Sequence, residues 1–198
     1  MLKFLPPATR AIVVANGLLF LCYFIIGAPL FNRLALWPVS SPLFEPWQTI
    51  TYSFMHEGPI QLGWNMINIV LFGRALERTW GARNYLIYYF SCVLAAAGTE
   101  LLWLHVTNTF AYSFGASGGV FGILLAFAIL FPHKNVTWFS PHVHVPAWFF
   151  VGLFGVLELM LGLLQPNTWA HFAHLGGMAG GAVVIAFWRT PRPAPRTE

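Results

Sequence analysis

Six apolar runs, at about 11–31, 60–76, 84–105, 117–131, 145–164 and 171–188, contain only three charged residues between them: Arg74, Glu100 and Glu158. That pattern constrains the fold more than any motif. A bilayer's hydrocarbon core is about 30 Å thick and takes about 20 apolar helical residues to cross. Most of the runs meet or approach that length. In lipid every backbone polar group must be paired internally, so such runs become helices. The chain as a whole is only 8% charged, against about 25% for soluble domains. It is expected to be an all-α, polytopic membrane protein with six transmembrane helices, residues 1–188 forming one domain. The tail 189–198 is basic and proline-rich, a composition expected to be disordered.

Charge sets the expected orientation. With the N-terminus inside, Lys3, Arg10, Arg74, Arg78, Arg83, Lys134, Arg189, Arg192 and Arg196 fall on the cytoplasmic side, and only Arg33 falls outside. Such a split follows the positive-inside rule and places both termini in the cytoplasm. The net charge of +4 therefore reports topology, and no nucleic-acid partner is expected. The first run is too long for a signal peptide and lacks a small-residue cleavage site after it, so it reads as a retained helix. Trp37, Trp47, Trp80, Trp138, Trp169 and Trp188 lie near run ends, where an aromatic belt forms. The outer connection 32–59 is apolar and Trp-bearing, so it is expected to lie in the interface. Cys22 and Cys92 sit inside apolar runs, with no spacing for a disulfide framework or a metal.

One run is too short. Residues 117–131 end before Pro132 and Lys134, and fifteen helical residues reach only about 22 Å. With its inner end anchored at the inner face, Ser117 lies several ångströms below the outer face. The preceding stretch, Thr107 to Gly115, then enters the membrane as non-helical backbone. That is tolerated only where protein or a water-filled cavity surrounds it. A pocket open to the outside, with Ser117 at its floor, is the consequence. At a helix N-terminus the free N–H groups favour negative charge, as an oxyanion on an attacked carbonyl would supply. Gly115 and Gly118 allow close backbone approach on either side of Ser117. The plainer reading of Ser117 is an N-cap.

His174 opens the last run on the same side, followed by Gly176, Gly177, Gly180 and Gly181. Gly118 and Gly122 on the serine helix are also four apart. Small residues at this spacing let membrane helices pack backbone to backbone, which would bring Ser117 and His174 together. His171 is the rival base, one turn earlier. Phe121, one turn below Ser117, is placed to pack on the imidazole. Gln61, Asn65 and Asn68 share a helical face. The first two lie level with Ser117, where their amides could donate to an oxyanion, and Asn68 is deeper and structural. His133, His142 and His144 near the inner turn lack a fourth ligand, so no metal site is expected.

Gly115-Ala116-Ser117-Gly118 with Phe121-Gly122, and Ala173-His174 with Gly177 and Gly181, come in that order after Trp47-Gln48-Thr49-Ile50-Thr51-Tyr52-Ser53-Phe54-Met55-His56, Asn65-Met66 and Gly73-Arg74-Ala75-Leu76-Glu77. Together these resemble the rhomboid family of intramembrane serine proteases through nearly the whole chain. The resemblance implies a six-transmembrane-helix rhomboid bundle with a short central serine-bearing helix. It implies Ser117 as nucleophile and His174 as base in a dyad without a carboxylate, and no cofactor. The oxyanion hole would comprise the Ser117 N–H and Asn65, with Gly115 and Gln61 beside them. Substrates would be other transmembrane proteins, cut near the outer ends of their helices by an enzyme of the cell membrane, a bacterial inner membrane by type. Two departures stand out. Gln61 occupies a position where the family commonly has histidine, and Gln48 one where it often has arginine after the loop tryptophan. The alternatives are a non-proteolytic relative that binds membrane proteins, and a small transporter, for which Glu100 and Glu158 are intramembrane carboxylates.

Overall fold

In an apolar solvent the chain satisfies its own backbone, and nearly every run forms a helix. The computed structural model describes residues 4–136, 144–165 and 170–188. The tail 189–198, together with Trp138, His142 and Trp169, lies outside the described residues. The elements are α1 (Pro7–Ile26), α2 (Ala28–Leu34), α3 (Gln48–Thr51) running into a 3₁₀ turn (Tyr52–Phe54), α4 (Pro59–Asn68), a π-helical segment (Ile69–Gly73), α5 (Arg74–Val106), α6 (Ser117–Leu130), a short antiparallel pair β1 (Asn135–Val136) and β2 (Val145–Pro146), α7 (Ala147–Leu164) and α8 (Ala170–Trp188). The protein is an all-α, multi-pass membrane protein. Among the described residues four helical stretches are long and apolar enough to cross a membrane: 7–26, 59–106, 147–164 and 170–188.

Two boundaries differ from expectation. The first span covers 7–26 rather than 11–31, because Gly27 (φ +69°) breaks the helix and α2 starts anew with Pro29 in its first turn. Proline has no N–H to continue the earlier ladder. The second and third runs form one stretch, 59–106, interrupted at Gly81 (φ +79°, ψ 161°). The Tyr85 hydroxyl lies against Gly73, although twelve residues of straight helix would separate them by about 18 Å. The chain therefore doubles back at Gly81, where only glycine takes that φ readily.

At the same end, the first-turn N–H groups of Ala8 and Thr9 donate to Glu77 Oε1 (2.8 Å) and Oε2 (2.7 Å), and the Thr9 hydroxyl donates to Oε2 (2.7 Å). A carboxylate here satisfies the orphan donors of α1 and complements its dipole. α6 is the core of the bundle. Most of its side chains are buried, and α5 and α8 pack against it through small residues. Gly177 abuts the Gly118 backbone, Gly122 meets Cys92, and Gly180 meets Ala95. Tyr52 and Tyr88 hydroxyls tie the helices by donating to Val93 O (2.9 Å) and Gly122 O (2.8 Å). Outward faces carry Leu18, Phe24, Ile25, Val156 and Phe187 exposed, as lipid-facing surface requires.

The connection 35–58 is anchored by Gln48, the position where the resemblance leads one to look for arginine. Its fully buried amide donates to Leu43 O (2.8 Å) and Asn32 O (3.3 Å) and accepts from the Trp37 N–H (3.3 Å). Trp47 Nε1 and the Thr51 hydroxyl add bonds to Arg33 O (3.1 Å) and Leu34 O (2.9 Å). Gln48→Leu leaves buried backbone groups unpaired and is expected to destabilise the protein by about 2–3 kcal/mol. Thermal unfolding in detergent measures this; an unchanged midpoint would show that Gln48 is not the anchor.

Candidate active site

The segment between α5 and α6 is irregular and is pinned from outside. Leu36 and Ser113 exchange both backbone hydrogen bonds (2.9 Å each), and the Gly115 N–H donates to Tyr52 O (2.9 Å). Gly115 has φ +123°, a conformation that side-chain-bearing residues avoid. It turns the chain directly into α6, whose first residue is Ser117. The helix has 14 residues, about 21 Å at 1.5 Å each, shorter than a hydrocarbon core of about 30 Å.

His174 lies one turn into α8, beside that end. Its Nε2 is 2.9 Å from Ser117 Oγ, across 57 residues of sequence. Phe121, one turn down α6, stacks on the imidazole with centroids 4.4 Å apart and planes at 11°. Gly118 serves the helix contact, its backbone against Gly177 and its Cα facing Ala96. A hydroxyl within about 2.6–3.2 Å of an oriented imidazole is the geometry of an activated nucleophile.

A carboxylate stands beside the imidazole. Glu158, on α7, brings Oε2 to 2.9 Å from His174 Nδ1 and 2.7 Å from His171 Nδ1. A carboxylate oxygen accepts, so both rings donate from Nδ1. For His174 this leaves Nε2 as an acceptor facing the Ser117 hydroxyl. His171, the rival base, is thus bound to Glu158 and not to Ser117. Glu158 stands sixteen residues before His174 on another helix, and no local pattern announces the pairing. The three donor atoms of Glu158, His171 and His174 lie within 4.8 Å of one another, a spacing that could hold a metal ion.

A cavity of about 720 Å³ opens over this group, lined by Gln61, Asn65, Gly115, Ser117, Glu158 and His174 among others. The Gln61 Oε1 accepts from the Glu57 N–H (2.9 Å), which orients its Nε2 toward Gly115. A point one Cβ out from Gly115 lies 3.1 Å from Gln61 Nε2 and 3.8 Å from Ser117 Oγ. The missing side chain at Gly115 leaves that space free, with an amide donor on one side and the Ser117 hydroxyl on the other. Asn65 Nδ2 is 3.1 Å from His56 Nε2. Burial pushes the His56 pKa down to about 4, so the ring is neutral near pH 7 and accepts from Asn65. That bond fixes the asparagine amide at the cavity wall, leaving its second N–H available. Sequence reasoning placed His56 only at the end of a loop pattern; its position nine residues before Asn65 was the available signal. Asn68 bonds back to Trp64 O (2.8 Å) on its own helix, a structural use. Glu100 is fully buried and lines the cavity from α5.

A family model described as the Rhomboid domain matches residues 43–190. The chain is 31% identical to rhomboid protein 1, mitochondrial, of Saccharomyces cerevisiae, over 66% of this chain and 38% of that protein. It is 27% identical to rhomboid-like protease 3 of Toxoplasma gondii, over 81% of this chain and 55% of that protein. It is 30% identical to a putative rhomboid protease of Bacillus subtilis, over 69% of this chain and 64% of that protein. The alignments thus take in between 38% and 64% of these relatives' own lengths.

Proposed function

Because the chain belongs to the rhomboid family, we propose that it is an intramembrane serine endopeptidase with Ser117 as nucleophile and His174 as general base. The observation that carries this reading is the 2.9 Å contact between Ser117 Oγ and His174 Nε2 at the floor of the cavity. Two relatives named as proteases support it at the level of the family. Its substrates are transmembrane segments of other proteins, and residues 1–188 are the six-helix protease domain. Charge asymmetry supports N- and C-termini on the cytoplasmic side, with the cavity opening outward, and the resemblance supports a bacterial-type inner membrane.

The chemistry follows from the groups in reach. His174 Nε2 takes the Ser117 hydroxyl proton as Oγ attacks the scissile carbonyl. The resulting oxyanion is met by the Ser117 N–H at the α6 N-terminus, by Gln61 Nε2 in the space beside Gly115, and by Asn65 Nδ2. The C–N bond then breaks, and His174 gives the proton to the leaving amine. Water, activated by the same imidazole, hydrolyses the acyl-enzyme. Phe121 keeps the ring in plane throughout.

In liposomes, a fluorophosphonate serine probe is expected to label Ser117, and His174→Ala is expected to suppress that labelling at least ~10²-fold. Absence of labelling in the wild type would favour the non-proteolytic relative. His171→Ala is expected to lower the cleavage rate by less than about tenfold, because His171 contacts Glu158 and not the serine; a loss equal to that of His174→Ala would make His171 the base.

A further inference from the structure

Glu158 is a carboxylate within an apolar helix, a placement that is costly and marks functional sites by default. Both contacts recorded for it run from one oxygen to a histidine, and one of those histidines faces the nucleophile. We infer that Glu158 is a positioning residue that completes a Glu158–His174–Ser117 triad, in place of the two-residue site the family resemblance implies. The inference rests on the protease reading above and deepens it.

The argument is one of tautomer and charge. His174 accepts the Ser117 proton only if its neutral ring carries its own proton at Nδ1. That N–H needs an acceptor, and Glu158 Oε2 is one at 2.9 Å. Phe121 fixes the plane of the ring. Glu158 fixes which nitrogen faces the serine. When Ser117 attacks, the proton moves from Oγ to Nε2 and the imidazole becomes a cation. The carboxylate then faces a positive charge at hydrogen-bond distance in a site of low dielectric, where the attraction is much stronger than in water. The proton at Nδ1 stays on His174, so the carboxylate is unchanged through the cycle. His171 has a definite part in this arrangement. Its Nδ1–H holds the same oxygen at 2.7 Å, which keeps Glu158 from rotating away. The relay spans three helices, α7 to α8 to α6, so it exists only when α7 is seated.

The test uses the full chain in liposomes, with rates read per folded molecule after size exclusion. Glu158→Gln keeps the shape and an acceptor oxygen but removes the charge. It is expected to lower kcat and the fluorophosphonate labelling rate about 10²-fold or more, in line with the loss of a triad carboxylate, while KM changes less than about threefold. Glu158→Asp keeps the charge but withdraws the carboxylate by one methylene. It is expected to cost about tenfold or more, and it carries the same test should Glu158→Gln give no folded protein. A rate per folded molecule within about threefold of wild type, accompanied at most by a lower thermal midpoint, would assign Glu158 a packing role and overturn the inference. Loss of wild-type labelling on adding a chelator would also overturn it, since the three donor atoms would then serve a metal. Ser117→Ala is the internal control: labelling in that variant would sink the protease reading itself, independently of Glu158.

Discussion

Ser117→Ala is expected to reduce cleavage of a transmembrane test substrate to background, a loss of about 10⁴-fold or more. The size of the effect follows from the role proposed for one atom. Oγ is the group that would form the covalent intermediate, and it lies 2.9 Å from His174 Nε2. The fold should be indifferent. Ser117 is the first residue of α6, whose N-cap is Ala116, and the segment before it is held by Leu36, Ser113 and Tyr52. Thermal unfolding should therefore match wild type within about 1 kcal/mol, in the range of surface or weakly bonded substitutions. Cleavage that persists in Ser117→Ala would reject the nucleophile assignment. Lost cleavage with an unfolded protein would mean that Ser117 is needed for the fold instead.

The second large effect is expected at a residue without chemistry. A Cβ on Gly177 would run into the Gly118 carbonyl oxygen and lie 2.9 Å from its carbon and 3.2 Å from its Cα. All three are backbone atoms of α6, so no rotamer change makes room. Gly177→Ala must push α8 away from α6, at about 1–3 kcal/mol for an overpacked core. The catalytic consequence is larger than the stability cost. Ser117 and His174 sit on those two helices, and a displacement of about 1 Å from reactive geometry costs about 10²-fold. Gly152→Ala, where nothing lies within 4 Å of the added carbon, is the matched control and should leave activity within about twofold. If Gly177→Ala cleaves at the wild-type rate, the helix contact does not set the Ser117–His174 distance.

The Gln61 position illustrates how far motif reading reaches. The sequence marks it as a departure from the family pattern and allows only that an amide can donate. The structure adds the hydrogen bond from the Glu57 N–H that orients it and the empty volume at Gly115 that it faces. Gln48 is similar: as a letter it differs from the arginine often found there, and in space it anchors the loop through four backbone partners.

What could be read from the sequence is what depends on neighbours along the chain or on total composition. Scarce charge and long apolar runs specify helices in lipid, since no other open structure pairs its backbone there. One run is visibly too short for a full span, and four-residue glycine spacing supplies faces on which α6 and α8 meet. The tertiary structure alone decided the relations that depend on helix rotation and on which helices become neighbours. The fold-back at Gly81, the His56–Asn65 bond and the approach of Glu158 to His174 are of this kind. A carboxylate in an apolar helix is equally compatible with solvent, lipid-edge or histidine partners until packing chooses. Here the seating of α7 against α8 chose the histidines.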